Sequence, residues 1–157
     1  MGNETVEKIM RRNFPWVSPY TPLKELILRF RDSGCRALPV VDEDKLLGIV
    51  SLKDLYKAFF YTEQAFFAKM MRLYREDIEC DIFDTPLTPE MAFLISAEDL
   101  MEFNPIRVSP DCEIKEAFRL INVHELSFLP VVEGEKLVGV VTPFDIMLYV
   151  LELKGVL

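Results

Sequence analysis

The chain has 157 residues, half of them hydrophobic, enough to bury a sizeable core without disulfide or metal staples. A formal net charge of −8 and a pI near 4.8 exclude a nucleic-acid backbone or an anionic membrane as the default partner, because the average surface repels both. Cys35, Cys80 and Cys112 are far apart with no CxxC pairing, no apolar run approaches the ~18 residues of a membrane span, and Met1 to Met10 does not resemble a signal peptide, so a cytoplasmic protein is expected.

In chain order, Thr21-Pro22 opens a segment in which Leu23, Leu26, Ile27 and Phe30 lie at helical spacing, and Gly34 can end it. Two short β-type runs follow, Ala37 to Val41 and Leu46 to Val50, joined by the acidic turn Asp42-Glu43-Asp44. A helix is expected from Leu52 to about Phe60. Phe66, Phe67, Met70, Met71 and Tyr74 then suggest an amphipathic helix, core or interface, followed by an irregular stretch containing Pro86 and Pro89. After that the first pattern returns: Ile114, Ala117, Phe118 and Ile121 at helical spacing, strands Phe128 to Val132 and Leu137 to Val141 around Glu133-Gly134-Glu135, and a helix from Pro143 to about Leu153.

This return is an internal repeat. A shift of 91 positions aligns residues 5–60 with 96–151 without a gap. Val17-Ser18-Pro19 recurs as Val108-Ser109-Pro110, and Leu38-Pro39-Val40-Val41 as Leu129-Pro130-Val131-Val132. The predicted organisation is a first repeat over 1–60, an inter-repeat helical or irregular insertion over 61–95 and a second repeat over 96–157. Each repeat reads β-α-β-β-α, an α/β (α+β) fold in which two units bury their apolar faces against each other.

Ser51-x-x-Asp54 and Thr142-x-x-Asp145 put a hydroxyl where a strand ends and a carboxylate at the third helical position. That spacing is a capping box, which stabilises a helix start by about 1 kcal/mol. The same carboxylate can accept hydrogen bonds from a ribose diol, while the free amides of the helix start favour a phosphate. Both readings can hold together.

Gly48-Ile49-Val50-Ser51-x-x-Asp54, preceded by Gly34-Cys35-Arg36-Ala37-Leu38-Pro39-Val40-Val41, closely resembles the repeat of cystathionine-β-synthase (CBS) domains, and the second repeat carries the same series. The resemblance implies a tandem CBS-domain pair with pseudo-twofold symmetry, a Bateman module, which in that family binds adenosine nucleotides or related adenosyl ligands and regulates a partner. Carried onto this chain, it makes Asp54 and Asp145 ribose acceptors, with Ser51 and Thr142 contacting ribose or phosphate. It puts Ile49 and Val140 against the adenine, and the backbone around Trp16-Val17 and Arg107-Val108 on the base edge.

The two copies differ where phosphate would bind. Repeat one has Arg36 and Lys53 where repeat two has Ser127 and Phe144, so the first site suits a di- or triphosphate better. Phe128 and Phe144 read as core or interface residues. The single histidine, His124, excludes histidine dyads and multi-histidine metal sites, and reads as solvent-facing or as a helix cap. Asp77, Glu79, Asp81 and Asp84 alternate with Ile78, Cys80 and Ile82 as an acidic edge strand would, without EF-hand spacing. No Walker loop, nucleophile elbow or dinucleotide fingerprint is present.

The expectation is therefore a non-enzymatic regulatory module with no obligatory cofactor. It binds AMP, ATP or a related adenosine nucleotide, forms a homodimer, and signals to an unidentified regulated protein without nucleic acid or membrane. The alternative is a ligand-independent interaction or dimerisation module in which the hydroxyl and aspartate only cap helices.

Overall fold

The computed structural model describes residues 4–60 and 89–157. The acidic run at Asp77 to Asp84 and the Phe- and Met-rich segment from Phe66 to Tyr74 lie outside the described residues. In chain order the elements are a 3-10 turn at Val6–Lys8, α1 (Leu23–Ser33), β1 (Ala37–Asp42), β2 (Lys45–Ser51), α2 (Leu52–Phe60), α3 (Met91–Leu94), α4 (Ala97–Leu100), β3 (Glu102–Phe103), α5 (Ile114–His124), β4 (Leu129–Glu133), β5 (Lys136–Val141) and α6 (Pro143–Leu153).

Among the described residues, the expected helices and hairpin strands are present within a residue or two at their ends, while the first short strand of each β-α-β-β-α unit is reduced to a single bridge, at Val17 and at Val108. Pro22 stands just before α1 as its N-cap, with φ −70° and ψ 156°, and not inside the first turn. Gly34 ends α1 in the left-handed conformation at φ 68°, which costs glycine nothing. The corresponding residue of the second repeat is Glu125, which takes the same conformation at φ 51° despite its side chain.

The repeat carries through to hydrogen-bond register. β1 and β2 pair antiparallel with Leu38 opposite Val50, and β4 and β5 pair with Leu129 opposite Val141; a bulge falls at Val40/Val41 in one hairpin and at Val131/Val132 in the other. Val17 makes a parallel bridge to Val40, and Val108 makes the same bridge to Val131. The hairpins meet where Lys45 pairs with Lys136, with Leu46 N–H donating to Glu135 and Leu137 N–H to Asp44 at 3.0 Å each. A pseudo-twofold axis therefore runs between Lys45 and Lys136, in the sheet order β1-β2-β5-β4.

Each repeat has its own core, and each core borrows from the other end of the chain. Leu23, Leu26, Phe30, Leu38, Val40 and Val50 pack with Ala97 and Met101, which belong in sequence to the second copy. Ile114, Ala117, Ile121, Leu129, Val131 and Val141 pack with Val6, which is fully buried. Backbone hydrogen bonds fasten the exchange, Leu23 N–H to Ile95 on one side and Ile114 N–H to Glu4 on the other. A third cluster of Ala37, Phe128 and Val140, flanked by Phe14 and Ile49, joins the repeats. Phe128 is thus core as expected, its ring 5.2 Å from that of Phe14.

Cys35 and Cys112 are half-buried and unpaired, at the edges of the two repeat cores. Burial, reinforced by the carboxylates of Glu116, Asp111 and Glu113, pushes the Cys112 thiol above its ordinary pKa. Among the described residues no helix is long and apolar enough to cross a membrane.

Candidate functional site

At the start of α2, Asp54 Oδ2 accepts from Ser51 N–H at 2.8 Å and from Ser51 Oγ at 2.9 Å, while Asp54 N–H donates to Ser51 Oγ at 3.3 Å. The start of α6 repeats the geometry: Asp145 Oδ2 accepts from Thr142 N–H at 2.9 Å and from Oγ1 at 2.8 Å, and Asp145 N–H donates back at 3.2 Å. Both motifs are capping boxes, as the spacing requires. So is Ser96-x-x-Asp99 at the short helix α4, where the exposed Asp99 accepts at Oδ2 from Ser96 N–H at 2.9 Å. The box by itself therefore marks a helix start and not a site.

Surroundings separate Asp54 from Asp99. Asp54 is 3% exposed and lies on the wall of a cleft of ≈ 1010 Å³, at the upper end of the ~300–1,000 Å³ typical of small-molecule sites. Repeat one contributes Arg36 from before β1, Ile49 from β2, and Ser51, Lys53 and Asp54 from the strand-to-helix junction. The structure thus gathers five of the predicted residues on one cleft. Arg36 and Lys53 are exposed, with long side chains that can reach an anion, while Ser51 and Asp54 are held by their cap.

The opposite wall comes from repeat two: Glu102 to Ile106, and His124 to Phe128. His124, expected to face solvent or cap a helix, is exposed at the end of α5 and also lines this cleft. Of these two segments, the motifs drew notice to Ser127, Phe128 and His124 but passed over Glu102 to Ile106, which carry no repeated signature. The place of Glu102 to Ile106 follows from the antiparallel pairing of Gly48 with Phe103 and Ile49 with Glu102, which lays β3 beside β2.

Trp16 and Val17 lie elsewhere. They line a separate depression with Ser18, Tyr20, Glu25 and Arg29. The Val17 backbone is also already spent, its N–H on Pro39 at 3.0 Å and its carbonyl on Val41 N–H at 2.9 Å; Val108 is committed in the same way to Pro130 and Val132. These four bonds hold each repeat together and commit the Val17 and Val108 peptides to it. Residues 102–106, a few positions before Val108, are the segment that faces Asp54.

At the second motif, Val140 is fully buried and lines a small pocket with Phe14 and Trp16. Thr142 and Asp145 are half-buried, whereas Phe144 is 53% exposed. Arg11, absent from the sequence expectations, donates from Nε to Asp145 Oδ1 at 2.8 Å.

Two α/β repeats with a swapped entry segment, a strand-to-helix capping carboxylate in each and a pseudo-twofold axis between them define a tandem-repeat α/β class. A model of the CBS domain family matches residues 6–61 and 97–152, and the chain belongs to that family. Its structure resembles that of CBSX2 from Arabidopsis thaliana, a CBS-pair protein, at 25% identity, covering 98% of this chain and 99% of that one with a TM-score of 0.74. A crystal structure of CBSX2 in complex with AMP aligns with a TM-score of 0.71 at 25% identity over 96% and 98% of the two chains.

Among curated proteins, the inosine-5′-monophosphate dehydrogenase of Korarchaeum cryptofilum is 46% identical over 141 residues, 89% of this chain and 23% of that enzyme. An uncharacterised 33.4 kDa protein of Thermofilum pendens is 26% identical over 151 residues, 96% of this chain. The chain spans 45% of that relative's length, and 34% of another, an uncharacterised protein of Methanocaldococcus jannaschii.

Proposed function

We propose that the protein is a regulatory sensor that binds an adenosine nucleotide in the Asp54 cleft and passes the occupancy to a partner protein. The observation that carries this reading is the nearly buried Asp54 carboxylate, oriented by Ser51 at the start of α2 and sharing a wide cleft with Arg36 and Lys53. A ribose diol suits the carboxylate, and a phosphate suits the two cations and the amides of the helix start. The AMP complex of CBSX2 supports the same ligand class. Because the cleft walls come from both repeats, a ligand that prefers one relative orientation of the walls shifts the population toward it, the condition for signalling.

A calorimetric panel of AMP, ADP, ATP, NAD and S-adenosylmethionine tests the reading, and absence of binding to every one at millimolar concentration sinks it. With a binding nucleotide in hand, Arg36→Ala and Lys53→Ala are each expected to weaken ATP by about tenfold, the scale of one charge-assisted contact, and adenosine by less than twofold. Equal losses for both ligands would remove the two cations from the phosphate end.

We further infer a homodimer. Ile27 and Tyr56 in repeat one and Phe118 and Met147 in repeat two occupy positions 91 apart, and all four are exposed. Matched apolar faces at both ends of a pseudo-symmetric body suit an isologous contact between two copies. Sedimentation should give twice the chain mass, and Met147→Glu should move it toward the monomer; a wild-type monomer contradicts the inference.

A further inference from the structure

Trp16 and Tyr20 are 53% and 68% exposed on the segment that enters α1, and with Arg29 they line a depression of ≈ 490 Å³. It shares no residue with the Asp54 cleft. The fold requires neither ring: at the positions 91 residues on, repeat two has Arg107 and Asp111, and it makes the same parallel bridge to its hairpin without an aromatic. Single exposed apolar side chains are ordinary, but tryptophan, tyrosine and arginine gathered on one concave surface are the residue types that dominate protein–protein contacts.

The segment that carries the rings is anchored. Val17 is bonded to Pro39 and Val41, Thr21 N–H donates to the Ser18 carbonyl at 3.2 Å, and Glu98 N–H donates to the Pro19 carbonyl at 3.0 Å. Val17 and Pro19 are buried while Trp16 and Tyr20 are exposed. The rings therefore stand on a fixed backbone and lose little freedom on binding.

Charge selects the occupant. The Tyr20 hydroxyl lies 3.5 Å from Asp42 Oδ2, and the carboxylate of Asp42 above all, then those of Glu98 and Glu43, holds the Tyr20 phenol above its ordinary pKa. Among the described residues no lysine or arginine forms an ion pair with Asp42, Glu43 or Glu98. Arg29, the cation on the lining, is paired with Glu25 at 3.9 Å. Two π faces in a negative field suit a cation, and a planar guanidinium suits them best because it stacks on a ring and donates to a carboxylate at once.

We propose that the Trp16–Tyr20 depression is a docking site for an arginine side chain of a partner protein. The site does not rest on the nucleotide reading, and its test uses no nucleotide.

Trp16 is the only tryptophan of the chain, so its emission reports on this depression alone. Titration with end-blocked triarginine at low salt is expected to give a saturable change in emission at millimolar peptide, and end-blocked triglutamine none. Trilysine should bind several-fold more weakly, since an ammonium does not stack. Tyr20→Ala is expected to weaken triarginine about fivefold, the scale of one cation–π contact, and the isosteric Asp42→Asn about tenfold, the scale of one charge-assisted hydrogen bond. Both variants should melt close to the wild type. Glu133→Gln, at the equivalent turn position of repeat two, removes the same charge from the chain and should leave binding unchanged.

No saturable change in the wild type, equal responses to triarginine and triglutamine, equal binding of trilysine, or unchanged affinity in Tyr20→Ala would each overturn the proposal. Equal losses in Asp42→Asn and Glu133→Gln would also overturn it, because net charge alone would then hold the peptide.

Discussion

Asp54→Asn is expected to weaken AMP binding by roughly 10- to 100-fold, because hydrogen bonds to a charged acceptor contribute about 1.5–3 kcal/mol. Asparagine keeps the size of the side chain and an oxygen that can accept from the Ser51 amide, so the helix start survives. What changes is the charge and the acceptor capacity offered to a ribose diol. The loss should be specific: 2′-deoxy-AMP is expected to bind the wild type several-fold more weakly than AMP, and the variant should no longer tell the two apart. Asp145→Asn is expected to lower affinity much less, since Asp54 lines the wide cleft and Asp145 does not. Equal losses at the two positions would refute the assignment of the nucleotide to the Asp54 cleft. Unchanged affinity in Asp54→Asn would leave only the helix-capping role.

Gly48→Ala is expected to destabilise the protein by about 1–3 kcal/mol, through overpacking against backbone. An added Cβ at Gly48 would stand 2.5 Å from the Glu102 carbonyl oxygen and 2.8 Å from Met101 Sδ. The thioether can turn aside, but the carbonyl belongs to β3, whose pairing with β2 runs through Gly48 and Phe103. Relief therefore means moving β3 off the sheet, and β3 leads into the segment facing Asp54. The melting temperature should fall by several degrees, at roughly 2–4 °C per kcal/mol for a chain of this size, and AMP affinity should fall with it. Gly134→Ala is the control. That glycine has φ +64° with nothing within 4 Å of a Cβ, so its replacement should cost about 1 kcal/mol of backbone strain and leave binding unchanged. If Gly48→Ala melts like the wild type, the close approach of β3 is not a constraint.

Much of the fold was legible because each repeat is built from local signals. Leu23, Leu26 and Phe30 lie on one face at helical spacing, and all three are buried. Pro143 to Leu153 was expected as a helix and forms one with those bounds. The hairpins followed from two apolar runs around an acidic turn, in which Glu43 and Asp44 both adopt positive φ without glycine. Half of the site was legible for the same reason: Ser51, Lys53 and Asp54 are close in sequence, and their helix start places them together.

The other half was not legible, because it depends on contacts between distant residues. Arg11 meets Asp145 across 134 positions, and nothing in the residues around Arg11 marks it as different from Arg12. Residues 102–106 reach the Asp54 cleft through strand pairing, and bonds internal to the repeat engage the Val17 backbone. The exchange that sends Val6 into one core and Ala97 into the other is likewise a matter of packing over long separations.

The sequence alone determined the two-repeat architecture, the helix-hairpin-helix order within each repeat and the paired hydroxyl–carboxylate caps, since periodicity, turn chemistry and capping act within about a dozen residues. Only the tertiary structure decided which segments wall the Asp54 cleft, and that the partner position across from each aspartate is a glutamate in one half and an arginine in the other. The physical reason is register. The near-symmetric sequence places Arg11 and Glu102 at equivalent points, and strand pairing then brings opposite charges to two otherwise matching carboxylates.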